Sequence, residues 1–171
     1  IELMLGAEIN ILDGKGNIDA DEELMKRLDI RIAGIHSLCY THGTKEENTH
    51  GMVQAIRHPY IQIISHPGDG TALLDFEPMV LASKECGTLL EINNSSLKPT
   101  RNKVDARDNN WEILRLCKRY EVPVILGSDA HISFDIANYE HLYALLQETE
   151  FPEELIVNRS VEIFKNYLKK I

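Results

Sequence analysis

The chain has 171 residues, of which 43% are hydrophobic and 26% charged, and this composition is typical of one globular domain with a sizeable core. Its formal net charge of −9 repels phosphate backbones, so no nucleic-acid partner is expected. No apolar run reaches the roughly 18 residues of a membrane span, so no membrane partner is expected either.

Strand-forming and helix-forming segments alternate along the chain. Five apolar runs rich in β-branched residues predict strands, namely 1–11, 30–35, 61–65, 88–92 and 122–126. Segments with the apolar spacing of amphipathic helices lie between and after them, namely 20–28, 44–57, 75–86, 108–120, 138–149 and 160–170. This alternation predicts βαβ units around a mainly parallel sheet, which is an α/β fold.

Local signals predict where several of the helices begin and end. Thr44 is followed three residues later by Glu47, which resembles a capping box at the start of the second helix. Asp75 is a candidate N-cap of the third helix, and Gly87 is its predicted stop. Ser160 is a candidate N-cap of the last helix.

Side chains with metal-binding atoms lie near or just after the ends of four of the five predicted strands. They are Glu8, His36, His66, Asp129 and His131. Because ligands bind outside the carboxyl ends of parallel strands in α/β folds, we expect these side chains to converge at one edge. A carboxylate in an apolar run, such as Glu8, is costly unless it is paired or metal-bound. Imidazole and carboxylate together suit Zn²⁺, Mn²⁺ or Fe²⁺, whereas each His alone could be an ordinary hydrogen-bonded residue.

Other polar residues near the same edge are candidate substrate contacts. His42 lies in the loop after His36, Asn93 follows the fourth strand, and Arg101 lies in the polar segment 93–110. An amide can donate hydrogen bonds to a phosphate, and an arginine can hold an anion through two parallel bonds. Segment 93–110 is predicted to form a surface loop over the mouth of an active site. The alternative is that it is a merely solvated connection.

The three cysteines are widely spaced and form no CxxC pair. They are Cys39, Cys86 and Cys117. An odd number of scattered cysteines predicts free thiols and a cytoplasmic protein.

Taken together, the strand-end motifs resemble the PHP (polymerase and histidinol phosphatase) family, in particular its YcdX-like bacterial phosphatases. The matching stretches are GAEIN at 6–10, IAGIH at 32–36, IISHPG at 63–68, LEINNSS at 90–96 and LGSDAH at 126–131. The resemblance covers essentially the whole chain. It implies the C-terminal portion of a distorted (β/α)₇ TIM-like barrel, with up to three Zn, Mn or Fe ions at the strand ends.

The resemblance also implies a role for each matching residue. Glu8 would bridge two metals, His36 and His66 would bind the second metal, Asp129 the first and His131 the third. Glu8 and Asp129 would thereby be the catalytic residues. The implied reaction is hydrolysis of a small phosphomonoester by a metal-activated hydroxide.

One departure from the family pattern affects these expectations. Family members open with an HxH strand, a further His and a Thr-Asp-His segment, which are not found before Glu8 here. We therefore expect residues 1–171 to be a single PHP-type domain without its first strands, which either self-associates or pairs with an N-terminal companion segment.

Two other functions remain open. The first is an inactive or regulatory metal-binding fragment, because the first and third metals would lack ligands. The second is an amidohydrolase-like enzyme, although such enzymes commonly use a strand-end Lys and no Lys ends a strand here.

Overall fold

The predicted α/β fold is confirmed by a computed structural model, which describes residues 2–99 and 105–168. Five parallel strands form one sheet in which spatial order equals chain order. The strands are β1 Gly6–Ile11, β2 Ile30–Ile35, β3 Ile63–Ile64, β4 Leu89–Asn93 and β5 Val124–Gly127. The helices are α1 Glu22–Met25, α2 Lys45–Arg57, α3 Phe76–Cys86, α4 Ala106–Tyr120, α5 Glu140–Glu148 and α6 Val161–Tyr167.

Several element boundaries differ from the predicted ones for physical reasons. Strand β1 begins at Gly6 rather than at residue 1, because its partner β2 begins at Ile30, directly opposite Gly6. Segment 93–110 is not one long loop, because β4 extends to Asn93 and α4 already begins at Ala106. Polar residues in the first turn of an amphipathic helix look the same in sequence as loop residues, which explains this error.

Side-chain hydrogen bonds fix the helix ends that the sequence predicts. The Thr44 hydroxyl accepts a bond from the backbone N–H of Glu47 at 3.2 Å, and the Glu47 carboxylate accepts one from the N–H of Thr44 at 2.8 Å. This reciprocal pair is the predicted capping box of α2. Asp75 caps α3, which ends at Gly87 in the left-handed conformation with φ 66°.

The main core lies between one face of the sheet and helices α2, α3 and α4. Alternate strand residues contribute to it, because successive side chains point to opposite faces. Its fully buried members include Ile11, Ala33, Ile64, Leu90 and Ile92 from the strands and Met52, Ile56, Met79, Ile113 and Leu114 from the helices. These helices therefore cover a single face of the sheet.

The opposite face of the sheet carries a second, smaller apolar cluster. Ile63, Leu89 and Val157 form it, and partly buried residues of the strands and of α6 pack against it. The alternation of side chains places Glu8 and Glu91, the third residues of β1 and β4, on this same face. This face of the sheet therefore carries ionisable as well as apolar side chains.

Strand β1 is an edge of the sheet within the described residues, and its outer side is only partly covered. The backbone N–H of Asn10 donates to the Asp19 carboxylate at 2.8 Å, and the N–H of Asp19 donates to the Asn10 carbonyl at 3.2 Å. An edge strand can pair with another chain. Self-association through this edge stays a prediction, which light scattering can check.

Within the described residues, none of the helices combines the length and the apolar character that crossing a membrane requires.

Removing the capping hydroxyl should destabilise the protein by a measurable amount. We expect Thr44→Ala to lower the free energy of unfolding by about 1 kcal/mol. The backbone N–H of Glu47 loses the hydroxyl that accepts its hydrogen bond, and the reciprocal pair is broken. Thr41→Ala, at an exposed position outside the helix, is the matched control and should change it by less than about 0.5 kcal/mol. Urea denaturation measures both, and equal losses would contradict the capping role.

Candidate metal centre

Glu8, from within β1, meets His36 and His66, which follow the carboxyl ends of β2 and β3. The Oε1 atom of Glu8 lies 3.1 Å from Nε2 of His36 and 3.0 Å from Nε2 of His66. The two imidazole rings meet edge to face, with centroids 5.0 Å apart. Within the described part of the chain, these three residues form the group whose ligand atoms all lie within 4.8 Å of one another. Three of the five predicted ligands are thus brought to one point.

Asn10 fixes the hydrogen position on His36. The Asp19 carboxylate accepts a bond from the Asn10 side-chain amide nitrogen at 2.5 Å, so the Asn10 amide oxygen is the atom that faces His36. That oxygen lies 2.7 Å from Nδ1 of His36 and can only accept, so Nδ1 carries the hydrogen. In a neutral His36, Nε2 therefore presents a lone pair to Glu8. Such an arrangement can hold a cation between the two atoms.

His66 is held from three sides. Its Nε2 faces Glu8, its Nδ1 lies 3.5 Å from Oδ2 of Asp69, and its backbone N–H donates to Oε2 of Glu91 at 2.8 Å. Burial opposes protonation of the ring, but the hydrogen bond with Glu8 and the charges of Asp69 and Glu91 outweigh it and raise the pKa of His66. A carboxylate beside the second ring nitrogen is the usual partner of a metal-binding His.

Glu8 carries a negative charge throughout the physiological range. The hydrogen bond from His66 is the largest cause that lowers the pKa of Glu8 to about 2, and it outweighs the opposing effect of burial. A further hydrogen bond from Ser65 acts in the same direction. An ionised carboxylate oxygen and two ring nitrogens form the donor set that Zn²⁺ and similar divalent ions prefer.

The geometry of the three donors fits a single cation. Ligand atoms about 2.1 Å from one ion are separated by roughly 3.0 Å when they subtend 90° at the ion and by roughly 3.4 Å at the tetrahedral angle. The observed separations from Glu8 to the two histidines, 3.1 and 3.0 Å, are close to that range. Gly34 makes this approach possible, because a Cβ there would overlap with Ser65 Oγ and lie 3.3–3.4 Å from both imidazole rings.

Asp129 and His131 line the same cleft from its β5 side but do not join the group of three. Nδ1 of His131 lies 3.0 Å from the backbone oxygen of Asp129 and 3.5 Å from its Oδ1, so the two residues fold onto each other. Asp129 has a left-handed backbone with φ 49°, which is uncommon for a residue with a β-carbon. The structure thus divides the predicted ligands into a grouped three and a separate pair.

The predicted substrate contacts are distributed over different places. Asn93 is fully buried, and its side-chain oxygen accepts bonds from the backbone N–H of Ser96 at 2.7 Å and from its hydroxyl at 3.1 Å. Asn93 therefore braces the short 3₁₀ turn Ser95–Leu97, whose first two serines line the cleft. His42 lies in a separate hollow, where its ring packs edge to face on Tyr40. Arg101 lies outside the described residues.

Sequence reasoning missed four residues that hold the centre in place. They are Asn10, Asp19, Asp69 and Glu91. Asn10 could have been found, because it follows Glu8 by two positions and therefore shares its face of the strand. Glu91 is a carboxylate in an apolar strand, the same signal that singled out Glu8. No sequence signal marks Asp19, whose role depends on how the chain folds back on β1.

Comparison with known proteins places the chain among bacterial relatives that bear the name probable phosphatase. It is 46% identical over 169 residues to one from Caldicellulosiruptor bescii and 41% identical over 169 residues to one from Clostridium novyi. It is 38% identical over 170 residues to a third, from Acetivibrio thermocellus. These matches cover 99% of the chain and 68–69% of each relative. No protein-family model matches the chain.

Replacing a histidine of the metal centre should weaken metal binding more than replacing a histidine outside it. We expect His66→Ala to weaken Zn²⁺ binding by at least about 100-fold, since even outer residues of a metal site typically account for 10–100-fold. His42→Ala, in the separate hollow, is the control and should leave the affinity near that of the unchanged protein. Competition against a chromophoric chelator measures both constants. Equal losses in the two variants would mean that the cation binds elsewhere.

Proposed function

The chain belongs to the family of bacterial proteins named probable phosphatases, and on that premise we propose that it is a metal-dependent phosphoesterase. Its substrate is a small phosphomonoester, which binds in the cleft beside Glu8. The observation that carries the proposal is the meeting of one ionised carboxylate with two imidazole nitrogens at 3.0 and 3.1 Å. Such a donor set suits Zn²⁺, Mn²⁺ or Fe²⁺.

The architecture supports membership of the PHP family in particular. The strands follow one another in chain order, and α2, α3 and α4 cover the same face. A doubly wound sheet reverses its strand order and carries helices on both faces, whereas a (β/α) barrel does neither. The proposed domain is therefore part of a distorted (β/α)₇ barrel whose interior face carries the metal centre.

Glu8, His36 and His66 would hold one cation, and Asp129 and His131 are the candidates for holding others. When bound, such an ion lowers the pKa of a coordinated water to about 7 and neutralises charge on phosphoryl oxygens. Asp129 is the second catalytic carboxylate of the proposal, because its side chain lines the same cleft as Glu8.

The remaining groups of the cleft orient the metal ligands or bind the substrate. Asn10 holds His36 in the tautomer whose Nε2 can accept a cation. The Ser95 hydroxyl is buried and has no hydrogen-bond partner among the described residues, so it is available to donate to a phosphate oxygen. The cleft measures about 470 Å³, which is the size of a small-metabolite site. An anion can bind to a chain of net charge −9 here because a bound metal ion dominates the local field.

A metal-binding domain without catalytic activity is the second candidate. It is favoured by the separation of the Asp129–His131 pair from the group of three and by the 70% exposure of the His131 side chain. Elemental analysis distinguishes the candidates, since about one ion per chain supports this alternative and about three support the phosphoesterase.

A conservative change at Glu8 tests the phosphoesterase directly. We expect Glu8→Gln to lower both Mn²⁺ content and the hydrolysis of p-nitrophenyl phosphate by at least about 100-fold, because an amide keeps the shape but not the charge. Metal analysis and the release of p-nitrophenol measure the two effects.

Glu23→Gln is the matched control, because Glu23 is an exposed glutamate of α1 away from the cleft. It should keep both metal content and rate. A Glu8→Gln protein that is folded, fully loaded with metal and active would refute the proposed centre. Metal binding without hydrolysis in the unchanged protein would instead support the second candidate.

A further inference from the structure

Glu91 is a partly buried carboxylate that the proposed reaction does not use. It lies in β4, and the alternation of side chains places it on the same sheet face as Glu8. It does not line the cleft, and among the described residues it is not part of the group of three ligands. Its side chain therefore acts on the centre through other residues.

Two hydrogen bonds from the described residues converge on one oxygen of Glu91. Oε2 accepts from the backbone N–H of His66 at 2.8 Å and from the side-chain amide of Asn93 at 3.1 Å. The other oxygen, Oε1, occupies the position that a β-carbon at residue 127 would take, so a larger residue there would have to displace the carboxylate. The carboxylate thus contacts the loop after β3, the end of β4 and β5 at once.

The backbone of His66 needs support of this kind. Its φ is 32°, a left-handed conformation that a β-carbon makes unfavourable. In this conformation the chain turns sharply after β3, and Nε2 of the ring lies 3.0 Å from Glu8. The bond from the His66 N–H to Glu91 satisfies a buried donor that the short strand β3, Ile63–Ile64, does not pair.

We propose that Glu91 is a positioning residue of the metal centre. Its carboxylate holds the His66 backbone in the conformation that directs the imidazole to Glu8, and through Asn93 it ties the turn Ser95–Leu97 to the same point. Gly127 leaves the space that the carboxylate fills. The inference rests on the proposed function only in taking the group of three as a cation site.

Two substitutions separate positioning from charge. Glutamine can place its amide oxygen where Oε2 lies, so Glu91→Gln keeps an acceptor for both donors and loses the charge. Methionine has a similar volume and only a weak acceptor, so Glu91→Met removes both bonds. Should the methionine variant not fold, Glu91→Asp can replace it. Aspartate keeps the charge, but its side chain is one methylene group shorter, so its oxygens no longer reach the two donors.

The first measurement needs no metal. Hydrogen exchange of the His66 amide, followed by NMR in the metal-free protein, should be slow in the unchanged protein and in Glu91→Gln. It should become fast in Glu91→Met or Glu91→Asp. A His66 amide that stays protected in Glu91→Met, which has lost the acceptor, would overturn the inference, whatever the protein binds.

The second measurement is titration with Co²⁺ alone, read from its visible absorption bands. We expect Glu91→Met to weaken binding by about 10–100-fold, and Glu91→Gln to restore most of the affinity. A glutamine variant as weak as the methionine variant would show that charge rather than positioning matters, and would overturn the inference. If the unchanged protein binds no Co²⁺, the proposed function fails, and the amide measurement still decides the role of Glu91.

Discussion

The candidate metal centre depends on one carboxylate oxygen, Oε1 of Glu8, which both histidines of the centre contact. Oε1 of Glu8 faces the Nε2 atoms of His36 and His66 at 3.1 and 3.0 Å, and the bond from His36 to Asn10 leaves a lone pair directed at that oxygen. A hydrogen bond from His66 places positive charge against this ionised carboxylate, and a divalent cation would supply positive charge at the same point. The geometry is therefore one that a divalent cation stabilises, and the neighbouring residues maintain it.

The surrounding residues hold this arrangement at a cost in conformational energy. His66 and Asp129 both have left-handed backbones, which typically cost about 1–3 kcal/mol each and cluster at functional sites. Glu91 is a carboxylate largely withdrawn from water, and burial raises its pKa against the hydrogen bonds from His66 and Asn93 that lower it. A protein selected for stability alone has no reason to keep such groups, so their presence beside Glu8 supports a functional role for this edge.

Stability and function occupy opposite faces of the sheet. The main core between the strands and helices α2 to α4 contains most of the buried aliphatic side chains, and burial of such area is the principal stabilising contribution. The other face has a small apolar cluster around Ile63 and Leu89 and also carries Glu8 and Glu91. Changes at Glu8 or its partners can therefore alter chemistry without removing the main core.

The sequence alone determined the α/β class, the order of the elements and the capping box at Thr44, and it predicted that five candidate ligands converge at one edge, of which the structure groups Glu8, His36 and His66. These follow from local patterns, because apolar periodicity sets strands and helices and parallel strands end at the same edge. Only the tertiary structure decided which groups orient those ligands. Asp19 reaches Asn10 across a turn and Glu91 reaches the His66 backbone from a neighbouring strand, contacts that no periodicity encodes. The tertiary structure also placed His42 in a separate hollow. The course of the loop after a strand depends on backbone angles that cannot be read from the sequence.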